Sequence, residues 1–438
     1  MNIIFIYLVV YFAILAYITW SSSRKQTGAD FLNSSKDLSA WESTWTTFAS
    51  LLTGYNFVLG VTFAFLYGFW YLMAFVGAGF SFIALYWIYK RRFLFLKGQN
   101  LFSVGDYFAV RYGVFSKVFV NALLVFALVL FLILQIFVNT QLFSGLLGVS
   151  KELGLLLIVG TVCAYLWFGG FKTSVRTDIF QGVLMLPIIL AVFFVPFNFS
   201  YENLPIVFDL NQLGFAIGLA LLQFLSLLAQ PESFQRVFAS RDTLSLKRGL
   251  ITAFILIIFI AGPIAYLGIN FKMSGTAINP TSLFTEGVLS VLPYWLSSLL
   301  SISLIAAFMG TIDSSAFALG ILSAKLTGSS SERLVVRTKY FIVAGIVLSA
   351  FCSLYLFSFL SSVFALISLI SIVGVALLLS VLFELQTRDI NIFLVTGSAT
   401  YVLGLIFKFV TDNPLTSLVP SAVGIGVLLL SVAWRRTY

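Results

Sequence analysis

Apolar residues run without a break for 18 or more positions again and again along the 438-residue chain, with polar positions gathered into short intervals between the runs. A hydrocarbon core of about 30 Å takes roughly 20 residues of helix to cross, so each run predicts one spanning helix. Thirteen are predicted, at residues 3–20, 43–65, 66–89, 118–142, 153–169, 174–197, 211–230, 249–270, 290–324, 335–357, 359–384, 389–410 and 415–434. Ten-residue alternating stretches of the kind that build barrels are missing, and backbone polar groups in lipid have to be paired within their own segment. The predicted fold class is therefore an all-α polytopic membrane protein, a single membrane domain over residues 1–438 with short loops.

Composition agrees: 60% of the residues are hydrophobic, 9% are charged and the mean hydropathy is +1.06, against about 25% charged in soluble domains. With the amino terminus outside, only Lys151, Lys272 and Lys408 of the 25 basic residues fall on the outer face. An error of one in the helix count would invert every later loop. The asymmetry thus supports both the count and the orientation, with the carboxyl terminus cytoplasmic and the cell (inner) membrane as the expected location. The net charge of +9 is spread over short cytoplasmic segments rather than forming a patch, so no nucleic-acid partner is expected. The first run lacks a preceding basic stretch and a small-residue cleavage site, and is read as a retained helix rather than a signal peptide. Asn198-Phe199-Ser200 would be a glycosylation sequon on the outer face in a eukaryotic host.

Histidine is absent, and the two cysteines, Cys163 and Cys352, lie inside apolar runs. The usual ligands of haem and catalytic zinc are missing, as is a disulfide framework, which argues against redox and hydrolytic enzymes. Of sixteen acidic residues, hydropathy places only Asp178 and Asp313 within spans, with no Lys or Arg at their depth. An Asp at a helix centre in lipid costs at least ~2.5 kcal/mol, and such groups usually face a cavity or an ion path. Asp178 opens the sixth span, where complementing the helix dipole is an equally good explanation. Asp313 sits in the stretch Ala306 to Ser315, whose Gly, Ala, Ser and Thr residues suit close helix packing. Packing explains the small residues but not the acid, whereas a cation site explains both, because hard cations take carboxylate, hydroxyl and carbonyl oxygens.

Two spans are interrupted by polar residues: the second by Thr53-Gly54 and Asn56, the seventh by Gln223, Ser226 and Gln230-Pro231. Broken helices in secondary transporters offer free carbonyls to a cation and helix ends to a solute. Each interrupted span opens a set of five, at residues 43–197 and 211–384. An odd number gives the two sets opposite topology, so inverted repeats are predicted, with one leading helix and two trailing ones over 389–434.

Gly169-Gly170-Phe171 through Thr177-Asp178-Ile179-Phe180-Gln181, and Met309-Gly310-Thr311-Ile312-Asp313-Ser314, resemble two stretches of the sodium/solute symporter family. Asp30-Phe31-Leu32, Asp106-Tyr107 with Arg111-Tyr112-Gly113, and Gln230-Pro231 followed by Arg236 support the likeness. The resemblance implies the leucine-transporter fold with an extra leading helix, and sodium as a transported ion rather than a prosthetic group. It implies a main sodium site from carbonyls of Ala49 and Leu52 with Ala307, position 310 and Thr311, and a second cation site from Asp178, Asp313 and Ser314. Asn56 and Gln223 resemble solute contacts, and Ser226 is grouped with them. The chain departs from the family at Gly310, where a serine hydroxyl is usual. The expected function is sodium-coupled symport of a small organic solute, an amino acid, a carboxylate or similar. Proton coupling on the same fold is one alternative. The other is a membrane sensor or scaffold that does not transport.

Overall fold

The computed structural model describes residues 3–24, 26–93, 103–195, 210–275, 282–327, 331–355, 360–410 and 413–437. The Asn198-Phe199-Ser200 sequon lies outside the described residues. Among those residues there is no β-strand, only an isolated bridge between Leu38 and Ser240. The main helices are α1 (Ile3–Ser23), α2 (Ala40–Leu51), α3 (Gly54–Tyr67), α4 (Met73–Ile88), α5 (Val104–Leu147), α6 (Lys151–Met185) and α7 (Leu210–Ala229). They continue with α8 (Pro231–Ala239), α9 (Thr243–Met273), α10 (Tyr294–Leu326), α11 (Ser331–Ser353), α12 (Leu360–Leu382), α13 (Thr387–Ile406) and α14 (Val419–Thr437).

Eleven continuous runs among the described residues are long and apolar enough to cross a membrane. Hydropathy predicts thirteen, and the difference has a physical origin. The run Asn56–Arg91 turns at Gly68 and Lys151–Phe194 turns at Gly170, where φ is 54° and ψ is −151°. A side chain at that positive φ would be strained, so glycine marks the corner. Phe31 packs directly over it.

The helix α10 is the axis of the bundle: it is the most deeply buried of the eleven runs and packs against α1, α2, α3, α5, α6, α8 and α11. Its small residues make this possible, because without long side chains neighbouring backbones approach closely. Outward-facing Phe193, Val114 and Leu430 are more than two-thirds exposed, as expected where the solvent is lipid. Several polar motifs turn out to hold the scaffold. Asp30 forms a capping box with Thr27 and pairs with Lys172 at 3.6 Å. Asp106 pairs with Lys325 of α10 at 2.5 Å and Lys117 at 3.5 Å.

Candidate cation and solute site

The second predicted span is broken as its sequence suggests. α2 starts on a capping box between Ser39 and Glu42 and ends at Leu52, whose φ of −84° and ψ of 69° leave the helical region. A helix end leaves four carbonyls without intrahelical donors. Here the Leu52 N–H bonds the Phe48 carbonyl at 2.9 Å, and the Asn56 side-chain amide donates to the Leu51 carbonyl. Ala49 and Leu52 carbonyls are among those the break releases from the ladder. The chain resumes at Gly54, where an added Cβ would run into the ring of Phe308 on α10. That contact holds the break against the small-residue face of α10. On that face Thr311 Oγ1 donates to the Ala307 carbonyl at 2.8 Å, and Ala307, Gly310 and Thr311 are all buried.

The seventh span breaks at Gln230, and Pro231 opens α8 in the first-turn position where a missing N–H costs nothing. The residues after it stay buried instead of entering a cytoplasmic loop. Arg236, assigned to that loop by hydropathy, is 3% exposed. It donates through Nη2 to Asp178 Oδ2 at 3.0 Å and to Ser314 Oγ at 2.9 Å. Its Nε reaches Thr46 Oγ1 at 2.8 Å, and Nη1 the Glu232 carbonyl at 3.0 Å. The expectation that no basic group lies at the depth of the aspartates is therefore corrected. Hydropathy misassigned Arg236 because it reads the proline as the end of a span, whereas the helix restarts inside the protein.

Asp178 is fully buried within the protein. Its Oδ2 accepts from Thr46 as well as Arg236, while Oδ1 has no hydrogen-bond partner. Asp313 is equally buried but its two oxygens are occupied, Oδ1 by the hydroxyls of Ser174 (3.4 Å) and Ser314 (3.2 Å) and Oδ2 by that of Thr177 (3.2 Å). A third carboxylate near this arginine, Glu232, is also buried, and hydropathy hides it because it follows the same proline. Its Oε1 accepts from Ser315 at 2.5 Å and Oε2 is unpartnered. Gln181, one turn after Asp178, donates through Nε2 to Tyr11 Oη at 3.1 Å and leaves Oε1 without a partner. Arg236 thus meets the Asp178 carboxylate directly and that of Asp313 through Ser314, while the Glu232 carboxylate bonds Ser315; full ionisation of all three leaves the cluster short of positive charge. Among the described residues no group of three or more acidic or cysteine side chains gathers as a metal site. Carboxylate, hydroxyl and carbonyl oxygens together make a donor set suited to a hard cation.

Asn56, Gln223 and Ser226 line one cavity of about 140 Å³ between the two breaks. Ser50, Thr53, Gln230 and Glu232 complete its polar side, while Phe63, Tyr71, Phe131 and Phe364 form much of its apolar side. The Ser226 hydroxyl is partly committed, donating to the Gln223 carbonyl at 3.3 Å.

Two curated relatives share part of this sequence. The sodium/pantothenate symporter of Haemophilus influenzae is 29% identical over 180 residues, 40% of this chain and 36% of the relative. That of Escherichia coli is 28% identical over 186 residues, 41% of this chain and 38% of the relative. The match spans little more than a third of the length of either. A solved Na⁺-coupled sialic acid symporter, in a substrate-bound outward-open state, shares the fold with a TM-score of 0.77 at 17% identity, over 97% of this chain and 96% of that one. The model of the sodium:solute symporter family matches residues 31–391, and the chain belongs to that family.

Proposed function

We propose that the protein carries a small organic solute across the cell membrane together with sodium, by alternating access between outward-open and inward-open states. The observation that carries the reading is the buried cluster short of positive charge beside two broken helices. In this reading, Ala49, Leu52, Ala307 and Thr311 provide backbone and hydroxyl oxygens to the main sodium, with Gly310 contributing only backbone. Asp178, Asp313 and Ser314 form the second cation locus, with Asp313 holding the hydroxyls around it. Residues 43–197 and 211–384 are the inverted repeats that rock against each other, with the amino terminus outside. Sodium drives the cycle by binding one state better than the other, which is the only way a ligand shifts such an equilibrium.

Uptake into proteoliposomes under separately imposed sodium and pH gradients tests this. Sodium-driven accumulation is expected, a pH gradient alone driving none; a sensor would accumulate nothing under either gradient. Thr311→Ala is expected to raise the sodium half-saturation about tenfold with little change in thermal stability measured in choline chloride. An unchanged sodium dependence would count against the α2–α10 site.

Asn56, Gln223 and Ser226 are proposed to contact the solute. The cavity is smaller than the roughly 300–1,000 Å³ of typical ligand pockets, which favours a small cargo. Glu232 adds a preference: a carboxylate residue lining the cavity favours solutes bearing ammonium or N–H donors. A thermal-shift comparison of ethanolamine, choline and small amino acids with acetate and lactate, all in sodium, is expected to stabilise through the first group only. Glu232→Gln is expected to remove most of that shift. Stabilisation by the carboxylates in both proteins would overturn the preference.

A further inference from the structure

The resemblance at Met309 to Ser314 fails at one position, and the structure shows what fills the space. A Cβ built on Gly310 would stand on Gln181 Oε1, and Asp178 Oδ1 lies 3.7 Å from that same point. Both oxygens are buried and neither has a hydrogen-bond partner. Asp178 and Gln181 are three residues apart on α6 and so share a face of the helix. The amide is held in this sense by its other end, since Nε2 donates to Tyr11, whose hydroxyl contacts Met309 Sδ at 3.6 Å. An amide carbonyl and a carboxylate oxygen left bare at the centre of a protein are costly unless a donor or a cation meets them. Hard cations of sodium's or calcium's size take oxygens at about 2.3–2.6 Å, so one ion can bridge two oxygens about 5 Å apart.

We infer that Gln181 Oε1 is a cation ligand acting with Asp178 Oδ1 in the second locus, and that it occupies from α6 the space a side chain at position 310 of α10 would fill. The inference rests on the sodium-coupling reading and deepens it. It makes Gly310 a requirement of the site instead of a defect, because any side chain there displaces the amide oxygen. Arg236 occupies the opposite oxygen of Asp178, so the carboxylate is divided between a fixed cation and an exchangeable one.

The assignment predicts sign epistasis between two helices. Full-length protein in detergent is titrated with sodium chloride against choline chloride at constant ionic strength, and the half-saturation is read from the thermal shift. Gln181→Ala is expected to raise it about tenfold or more. Gly310→Ser alone is expected to raise it as well, because its Cβ evicts the amide oxygen. Gln181→Ala with Gly310→Ser is expected to return to within about threefold of the wild type, the serine hydroxyl taking the vacated place. Should the single variants fail to fold, Gln181→Met, which keeps length without oxygen, and Gln181→Asn, which withdraws the amide, are both expected to weaken sodium. A wild-type sodium response left unchanged by Gln181→Ala, or a double variant weaker than either single one, overturns the assignment alone. A wild type with no sodium response overturns the coupling reading beneath it.

Discussion

Arg236→Met is expected to destabilise the protein by about 3–5 kcal/mol, because it strands the Asp178 carboxylate in a site with no solvent. The guanidinium gathers Asp178, Thr46, Ser314 and the Glu232 carbonyl around itself, joining α2, α6, α8 and α10. Removing it leaves each of these acceptors to find another donor, and the charge cannot. Arg236→Met combined with Asp178→Asn removes both charges at once and is expected to recover much of the loss, since replacing a buried ion pair as a whole is often close to neutral. Thermal unfolding in detergent without sodium reads both steps. A single Arg236→Met variant as stable as the wild type, or a double variant no better than the single one, would show that the pair does not anchor the helix junction.

The same arginine explains where sequence reading stops. Spanning helices are legible because lipid admits few backbone solutions and because each run must be apolar along most of its length. The interruptions are legible too: Thr53-Gly54 and Gln230-Pro231 each mark a real break, one requiring close approach to Phe308 and the other a missing amide proton. The path of the chain beyond a break is not legible. Pro231 ends a hydropathic run whether the chain leaves the protein or restarts within it, and α8, with its Glu and Arg, looks like a loop until the fold wraps around it. Glu232 and the buried place of Arg236 are hidden together for that reason. Gln181 was visible only as part of a motif, because a lone glutamine in a span is explained equally well by a hydrogen bond to a neighbour. Only its position over Gly310 separates its oxygen from its nitrogen in function.

The two aspartates that first suggested a cation are distinguished by their partners, and their variants are expected to part company. Asp178→Asn replaces the carboxylate that carries the bare Oδ1, and is expected to raise the sodium half-saturation by about 100-fold. It also deprives Arg236 of its countercharge, so some loss of stability accompanies it; the titration midpoint, not the melting temperature, carries the comparison. Asp313→Asn acts differently. Its oxygens already accept from Ser174, Ser314 and Thr177, and an amide there sets an NH2 donor, in place of one acceptor, against hydroxyls that donate. The expected cost is about 1–3 kcal/mol of stability, with a change in sodium half-saturation of less than about tenfold, because this carboxylate organises hydroxyls around the site without an unoccupied oxygen of its own. Sodium titrations of the two variants under identical conditions decide the matter. Loss of sodium response in Asp313→Asn with a near-normal response in Asp178→Asn would move the ion from α6 to α10, and with it the role argued for Gln181.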